Sequence, residues 1–173
     1  MHTRHFRLAG FLVVAFLCGA AAPTAASDES AAVQRDVETA VRGLYNGDAA
    51  AVERIMHPRV IKVMGGQAAA RASIEKAAEM IRGMGAQIAE FRFPQPPEFF
   101  KAGEVDFVLV PTYAVFVANG QRIESTNFQL GAREKGGAWG YVDGARMTLA
   151  QIKMLFPEYP DGKPLPPTSR KRL

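Results

Sequence analysis

Residues 105–133 read VDFVLVPTYAVFVANGQRIESTNFQLGAR, and the architecture follows from this stretch. From Val105 to Val117 nearly every position is apolar, which is how a strand covered on both faces reads. Asn119-Gly120 comes next; a two-residue type I′ hairpin turn needs positive φ at both positions, and Asn-Gly tolerates it. The return strand runs from Gln121 to about Arg133. Such a turn also sets the register: with Ala118 opposite Gln121, Tyr113 faces Thr126, Pro111 faces Phe128 and Leu109 faces Leu130. That face is mostly apolar and is expected under the helices. The other carries Thr112, Ser125, Asn127 and Gln129 and is expected to be wetter, or to meet another subunit.

Beyond the hairpin, Lys135-Gly136-Gly137 turns the chain, and Ala138 to Asp143 forms a last strand. Asp143, before Gly144, has the chemistry of a turn residue whose carboxylate bonds nearby backbone amides. Thr148 and Gln151 have capping-box spacing for a short helix carrying Leu149, Ile152 and Leu155. Before the hairpin, Gln87 to Phe93 alternates as a strand, Pro94 to Pro97 interrupts it, and Phe99-Phe100 leads into Val105. Further upstream the period is helical. Val33, Val37, Val41 and Leu44 place one apolar stripe on a helix from near Asp28 to before Asn46-Gly47. Asp48 caps a short second helix with Val52, Ile55 and Met56 turned inward, and His57-Pro58 stops it. Val60, Ile61 and Val63 are predicted as a short strand ending at Gly65-Gly66. A third helix is predicted from about Arg71, with Ile74, Ala77, Ala78, Ile81 and Met84 on its buried side and Gly83 and Gly85 at its end.

Residues 1–27 have the pattern of a secretory signal peptide: Arg4 and Arg7, an apolar run from Leu8 to Cys18, then small residues up to Ser27. The apolar run is shorter than the roughly 20 residues a membrane anchor needs. Leu17 before Cys18 does not suit a lipoprotein site, which calls for a small side chain. The expected location is therefore periplasmic or secreted, with no stable membrane anchor. Removal of this segment discards the single cysteine and two of the three histidines, leaving His57. Thiol chemistry and disulfides are then excluded, and one histidine is too few for the histidine sets of catalytic zinc. Arg4 and Arg7 account for two of the +4 formal charges, so the remainder carries +2, too little for a nucleic-acid footprint. The predicted organisation is a signal peptide at 1–27, one α+β domain at 28–157, and a Pro-rich basic tail at 158–173 without fixed structure.

The order of two amphipathic helices, a short strand, a third helix and a long antiparallel meander resembles the nuclear transport factor 2-like family. Leu44-Tyr45-Asn46-Gly47-Asp48 looks like the family's helix-ending N-x-G-D region. Trp139-Gly140-Tyr141-Val142-Asp143-Gly144 looks like its closing W-x-F-V-D strand. The likeness spans roughly residues 31–157 and implies a cone-shaped α+β fold, a curved antiparallel sheet wrapped around the N-terminal helices. It also implies homodimers, as in many members. Ketosteroid isomerase belongs to the same family. Matching at Gly47-Asp48 puts that enzyme's phenol on Ala40, its carboxylate base near Met64 and its neutral carboxylic acid near Gln129. None of these three side chains transfers a proton, so the chain looks unlike an active isomerase.

No catalytic set, metal site or cofactor motif is assigned, and the G-x-S-x-G, P-loop and dinucleotide-binding glycine patterns are absent. The candidate ligand-binding residues are His57, Tyr113, Thr126, Gln129 and Trp139. His57 titrates near neutrality, or simply ends a helix. Tyr113 aims a hydroxyl into a pocket beside Thr126, or is core; Trp139 stacks on a ligand, or glues its strand down. Gln129 can donate to an oxygen but cannot supply a proton. The expected function is an exported protein that binds a small apolar or amphipathic molecule or assists an envelope protein. The alternative is a cofactor-free acid/base enzyme, with His57 as base and Tyr113 or Gln129 holding an oxyanion.

Overall fold

The computed structural model describes residues 25–145 and 147–173. Of the signal peptide read at 1–27, all but the last three residues lie outside this range. In chain order the elements are α1 (Ala25–Asn46), α2 (Ala49–Ile55), α3 (Pro58–Val63), α4 (Gln67–Gly83), β1 (Gln87–Arg92), β2 (Glu98–Ala102), β3 (Val105–Ala118), β4 (Gln121–Glu134), β5 (Gly140–Asp143), α5 (Leu149–Leu155) and β6 (Ser169–Arg172). The fold is α+β, helices on an antiparallel sheet.

The β3–β4 hairpin is the spine of that sheet. Asn119 and Gly120 both have positive φ, 50° and 73°, as the type I′ turn requires. The strands stay in register from Ala118↔Gln121 to Val105↔Glu134, and Tyr113 faces Thr126, Pro111 faces Phe128 and Leu109 faces Leu130 as the turn predicts. Each outer edge of the hairpin is covered by two short strands. On β3, β1 pairs with the turn-side half and β2 with the far half. Pro94, Pro96 and Pro97 separate the two, since proline cannot donate to a ladder. On β4, β5 pairs with Gln129–Ala132 and β6 with Ile123–Thr126.

Three expectations about elements are corrected, and a fourth concerns which face the helices cover. Val60, Ile61 and Val63 lie in α3, not in a strand: Pro58 takes the first helical turn, and the His57 ring accepts from the Arg59 amide as the N-cap, 3.1 Å away. Proline at that position is pre-set for a helix, and a short apolar run has no periodicity to oppose it. The stretch around Phe99-Phe100 is its own strand, turned back onto β3 at Gly103, φ 60°. The tail is not structureless. Tyr159 is 1% exposed in the core, and residues 169–172 add β6 to the sheet.

The mostly apolar face of the hairpin does not lie under the N-terminal helices. Val33 and Val37 of α1 pack on Val108, Val110 and Tyr141, which belong to the other face. Phe107, Leu109, Phe128 and Leu130 are covered by Ile152 of α5 together with Phe156 and Tyr159. Both faces of Val105–Val110 are thus enclosed, so apolarity there does not reveal which face the helices take. Arg59 clamps the second layer, donating to both carboxylate oxygens of Glu158 at 2.8 and 3.0 Å and to the Leu155 carbonyl at 3.3 Å.

The Tyr159 ring meets Phe100 and Phe107 edge-on at 5.6 Å, while its buried hydroxyl has no hydrogen-bond partner among the described residues. Removing the ring and removing the hydroxyl should act in opposite directions. Tyr159→Ala is expected to lower unfolding stability by about 3–5 kcal/mol, the range for a deleted core aromatic. Tyr159→Phe should raise it by about 1 kcal/mol, because an unpaired buried hydroxyl disappears. Urea unfolding of the two variants checks both signs.

Candidate functional site

The surface between the helices and the sheet is hollow. A cavity of about 450 Å3 lies over the Thr112 and Ser125 face, within the span of small-molecule sites. Val37, Val41 and Leu44 of α1, Val52 and Ile55 of α2, and Phe91 of β1 make its apolar walls. Thr112, Ser125, Asn127, Gln129 and Asp143 make a polar wall opposite.

That wall follows from strand periodicity. Ser125, Asn127 and Gln129 alternate along β4, so their side chains share one face, and Thr112 faces Asn127 across the hairpin. The β4–β5 register then sets Asp143 directly beside Gln129. Asp143 Oδ1 accepts from Asn127 Nδ2 at 2.6 Å, Gln129 Nε2 at 3.3 Å and the Ala145 amide at 2.9 Å. The last bond is the turn contact expected of Asp143. Gly144 makes the turn possible, since a Cβ there would lie 2.4 Å from the Phe128 ring. Three donors on one oxygen fix the carboxylate and orient both amides. One consequence is that Asn127 Oδ1 is buried with no hydrogen-bond partner. Asp143 Oδ2 has no hydrogen bond or ion pair among the described residues.

At the opposite end of the cavity Tyr45 stacks flat on Phe116, centroids 4.8 Å apart, and Arg170 reaches in from β6. Burial pushes the Tyr45 phenol above its ordinary range; Arg170 pulls it partly back and Asp143 adds to the rise. Tyr141 also borders the cavity, but its hydroxyl donates to Asp36 Oδ2 over a long 3.4 Å.

Among the five residues singled out from the sequence, Gln129 lines this cavity. Tyr113 and Thr126 pair with each other on the opposite face, because neighbouring strand residues point to opposite sides. There the Arg92 guanidinium covers the Tyr113 ring at 3.9 Å. Trp139 sits before β5, partly buried against α1, its indole donating to Glu29 Oε1 at 3.2 Å under the Arg133 guanidinium at 4.3 Å. His57 is 6% exposed; besides capping α3, it stands edge-on to Phe156 at 4.8 Å, and its amide donates to the Tyr141 carbonyl at 3.0 Å. Gly140 is needed beside it, since a Cβ there would meet His57 Cα at 2.8 Å. Of the acid/base alternative, His57 as base with Tyr113 or Gln129 holding an oxyanion, Gln129 alone lines this cavity.

Thr112, Ser125, Asn127, Asp143, Tyr45 and Arg170 join the site without having been singled out for it. The polar alternation of Ser125, Asn127 and Gln129 was the available signal. Arg170 had none, because its place depends on a strand pairing of distant segments. Among the described residues no three acidic, histidine or cysteine side chains converge on a metal-sized point. No described helix is long and apolar enough to cross a membrane. Comparisons with protein-family models, curated proteins and solved structures find no match.

Burial, and then Arg59, lower the His57 pKa from its ordinary 6.5, with Glu134 and Glu158 opposing. Between the lowered folded value and 6.5 the unfolded chain binds the extra proton, so His57 removes stability as pH falls through that window. His57→Asn keeps a capping acceptor and cannot ionise there. Its melting temperature should therefore decline less steeply below pH 6.5 than that of the unaltered protein, as followed by circular dichroism at a series of pH values.

Proposed function

We propose that this protein is an exported member of the nuclear transport factor 2-like family, with a curved sheet wrapped around its N-terminal helices. Its function in this reading is to bind a small apolar or amphipathic molecule. The observation that carries the reading is the 450 Å3 cavity with apolar helix walls and a polar β4–β5 wall. Burying an apolar ligand there is favoured by the area removed from water, and the polar wall sets its orientation. A second reading, proton transfer, is favoured by one feature. Asp143 is a carboxylate fixed by three donors on one oxygen in a ligand-sized cavity, the geometry of a positioned base.

N-phenyl-1-naphthylamine, a neutral fluorophore, tests the binding reading. Ala114 is 5% exposed and lines the cavity, so Ala114→Phe places a ring where the dye would lie. The unaltered protein should bind the dye with a rise in fluorescence. Ala114→Phe should weaken binding by at least about tenfold, or about 1.4 kcal/mol, while the melting temperature stays close to that of the parent. Undiminished binding in a folded Ala114→Phe variant would move the dye out of this cavity and remove the basis for the reading.

A further inference from the structure

The charge around the cavity is distributed unevenly, and the C-terminal strand is the reason. In β6, Arg170 pairs with Ser125 and Arg172 with Ile123, while Lys171 between them pairs with Glu124. Alternation therefore puts Arg170 and Arg172 on the cavity side and Lys171 on the other. Arg170 lines the main cavity, and both arginines line an adjoining one of about 340 Å3. The two share Tyr45, Ile81, Phe116 and Arg170. A third hollow, also bounded by Tyr45, adds Arg42 and Arg82.

Five of the eleven described arginines have an acidic partner. Arg42 pairs with Glu38 at 2.8 Å and Arg59 with Glu158 at 2.8 Å, and Arg71, Arg92 and Arg133 have acidic partners too. Arg82, Arg170 and Arg172, like Arg35, Arg54 and Arg122, have no ion pair among the described residues; what sets Arg170 and Arg172 apart is that they line the main and adjoining cavities. Both β6 arginines are exposed, so either alone would hold an anion only weakly, but together on the cavity face they offer two planar forks that fit a carboxylate or phosphate. At the other end, Asp143 carries the opposite charge, its Oδ1 held by three uncharged donors.

We propose that the ligand is an amphipathic anion whose apolar part fills the main cavity and whose acidic head is held by Arg170 and Arg172 of β6 beside Tyr45. This rests on the ligand-binding reading above and adds to it the chemistry of the head group. It also gives the basic tail a role in recognition.

Isothermal titration of the full-length protein at neutral pH with decanoate, decan-1-ol and decylammonium tests it, since the three share a chain and differ in head. Inorganic phosphate alone is titrated as a fourth probe. Decanoate should bind at least about tenfold more tightly than decanol, the scale of one charge-assisted contact. Replacing both arginines, Arg170→Gln with Arg172→Gln, should erase that gap, decanoate losing more affinity than decanol. Lys171→Gln removes a like charge from the other face and should preserve the gap. Phosphate binding as tightly as decanoate would mean a plain anion site and overturn the amphiphile. Equal binding of decanol and decanoate would overturn the inference while leaving the apolar cavity reading intact. So would tightest binding of decylammonium, a gap surviving in the double variant, or a gap lost equally in Lys171→Gln. If none of the three chains binds, the ligand-binding reading fails as well.

Discussion

The unbroken ladder between β3 and β4, from Val105↔Glu134 to Ala118↔Gln121, is the constraint on which the other elements depend. Its two strands are 14 residues each, far longer than the four to six residues of the strands flanking them. Short strands cannot hold a register alone, and here each takes one from the hairpin. Because the side-chain period is two, one tight turn at Asn119-Gly120 decides the facing of both long strands and of the strands paired evenly with them, while β1 changes parity at a bulge between Ile88 and Glu90. A slip of one residue would carry Asn127 and Gln129 out of the cavity and Phe128 into it.

The same parity divides the molecule chemically. On one face of the hairpin, Leu109, Phe128 and Leu130 are sealed by Ile152, Phe156 and Tyr159 in a core rich in aromatic contacts. On the other, α1 packs closely only near Val108 and Val110, and the sheet then parts from the helices over Thr112, Ala114 and Ser125. Small and polar side chains at these positions leave space that larger apolar residues would have filled. His57 ties the two layers. Its backbone amide holds the β5 carbonyl of Tyr141, while its ring meets Phe156 of the sealed layer, so a residue with catalytic chemistry is occupied structurally.

The polar ends of the cavity come from the edge strands. Asp143 arrives with β5 and is held by three hydrogen bonds from uncharged amides, at the expense of an unpartnered Asn127 oxygen. Arg170 arrives with β6 and has no acidic partner among the described residues. Tyr45 lies within the electrostatic reach of both. The proposed head-group site therefore belongs to the end of the cavity that carries the positive charge.

The sequence alone determined what local chemistry can determine. The Asn119-Gly120 turn set the hairpin register, the 3.6-residue stripe of Val33, Val37 and Val41 set α1, and Thr148 with Gln151 set the cap of α5, where both reciprocal bonds form. Each rests on interactions between residues close in the chain. Only the tertiary structure decided that α3 is a helix, which face of the sheet the N-terminal helices cover, and that Tyr159 and β6 belong to the fold. Only it decided which polar residues meet at the cavity. A short apolar run fits a helix or a strand equally, a strand buried on both sides does not say what buries it, and a basic tail looks solvated until an open strand edge pairs with it. Those choices are made by contacts between segments far apart in sequence, where propensity and periodicity have no reach.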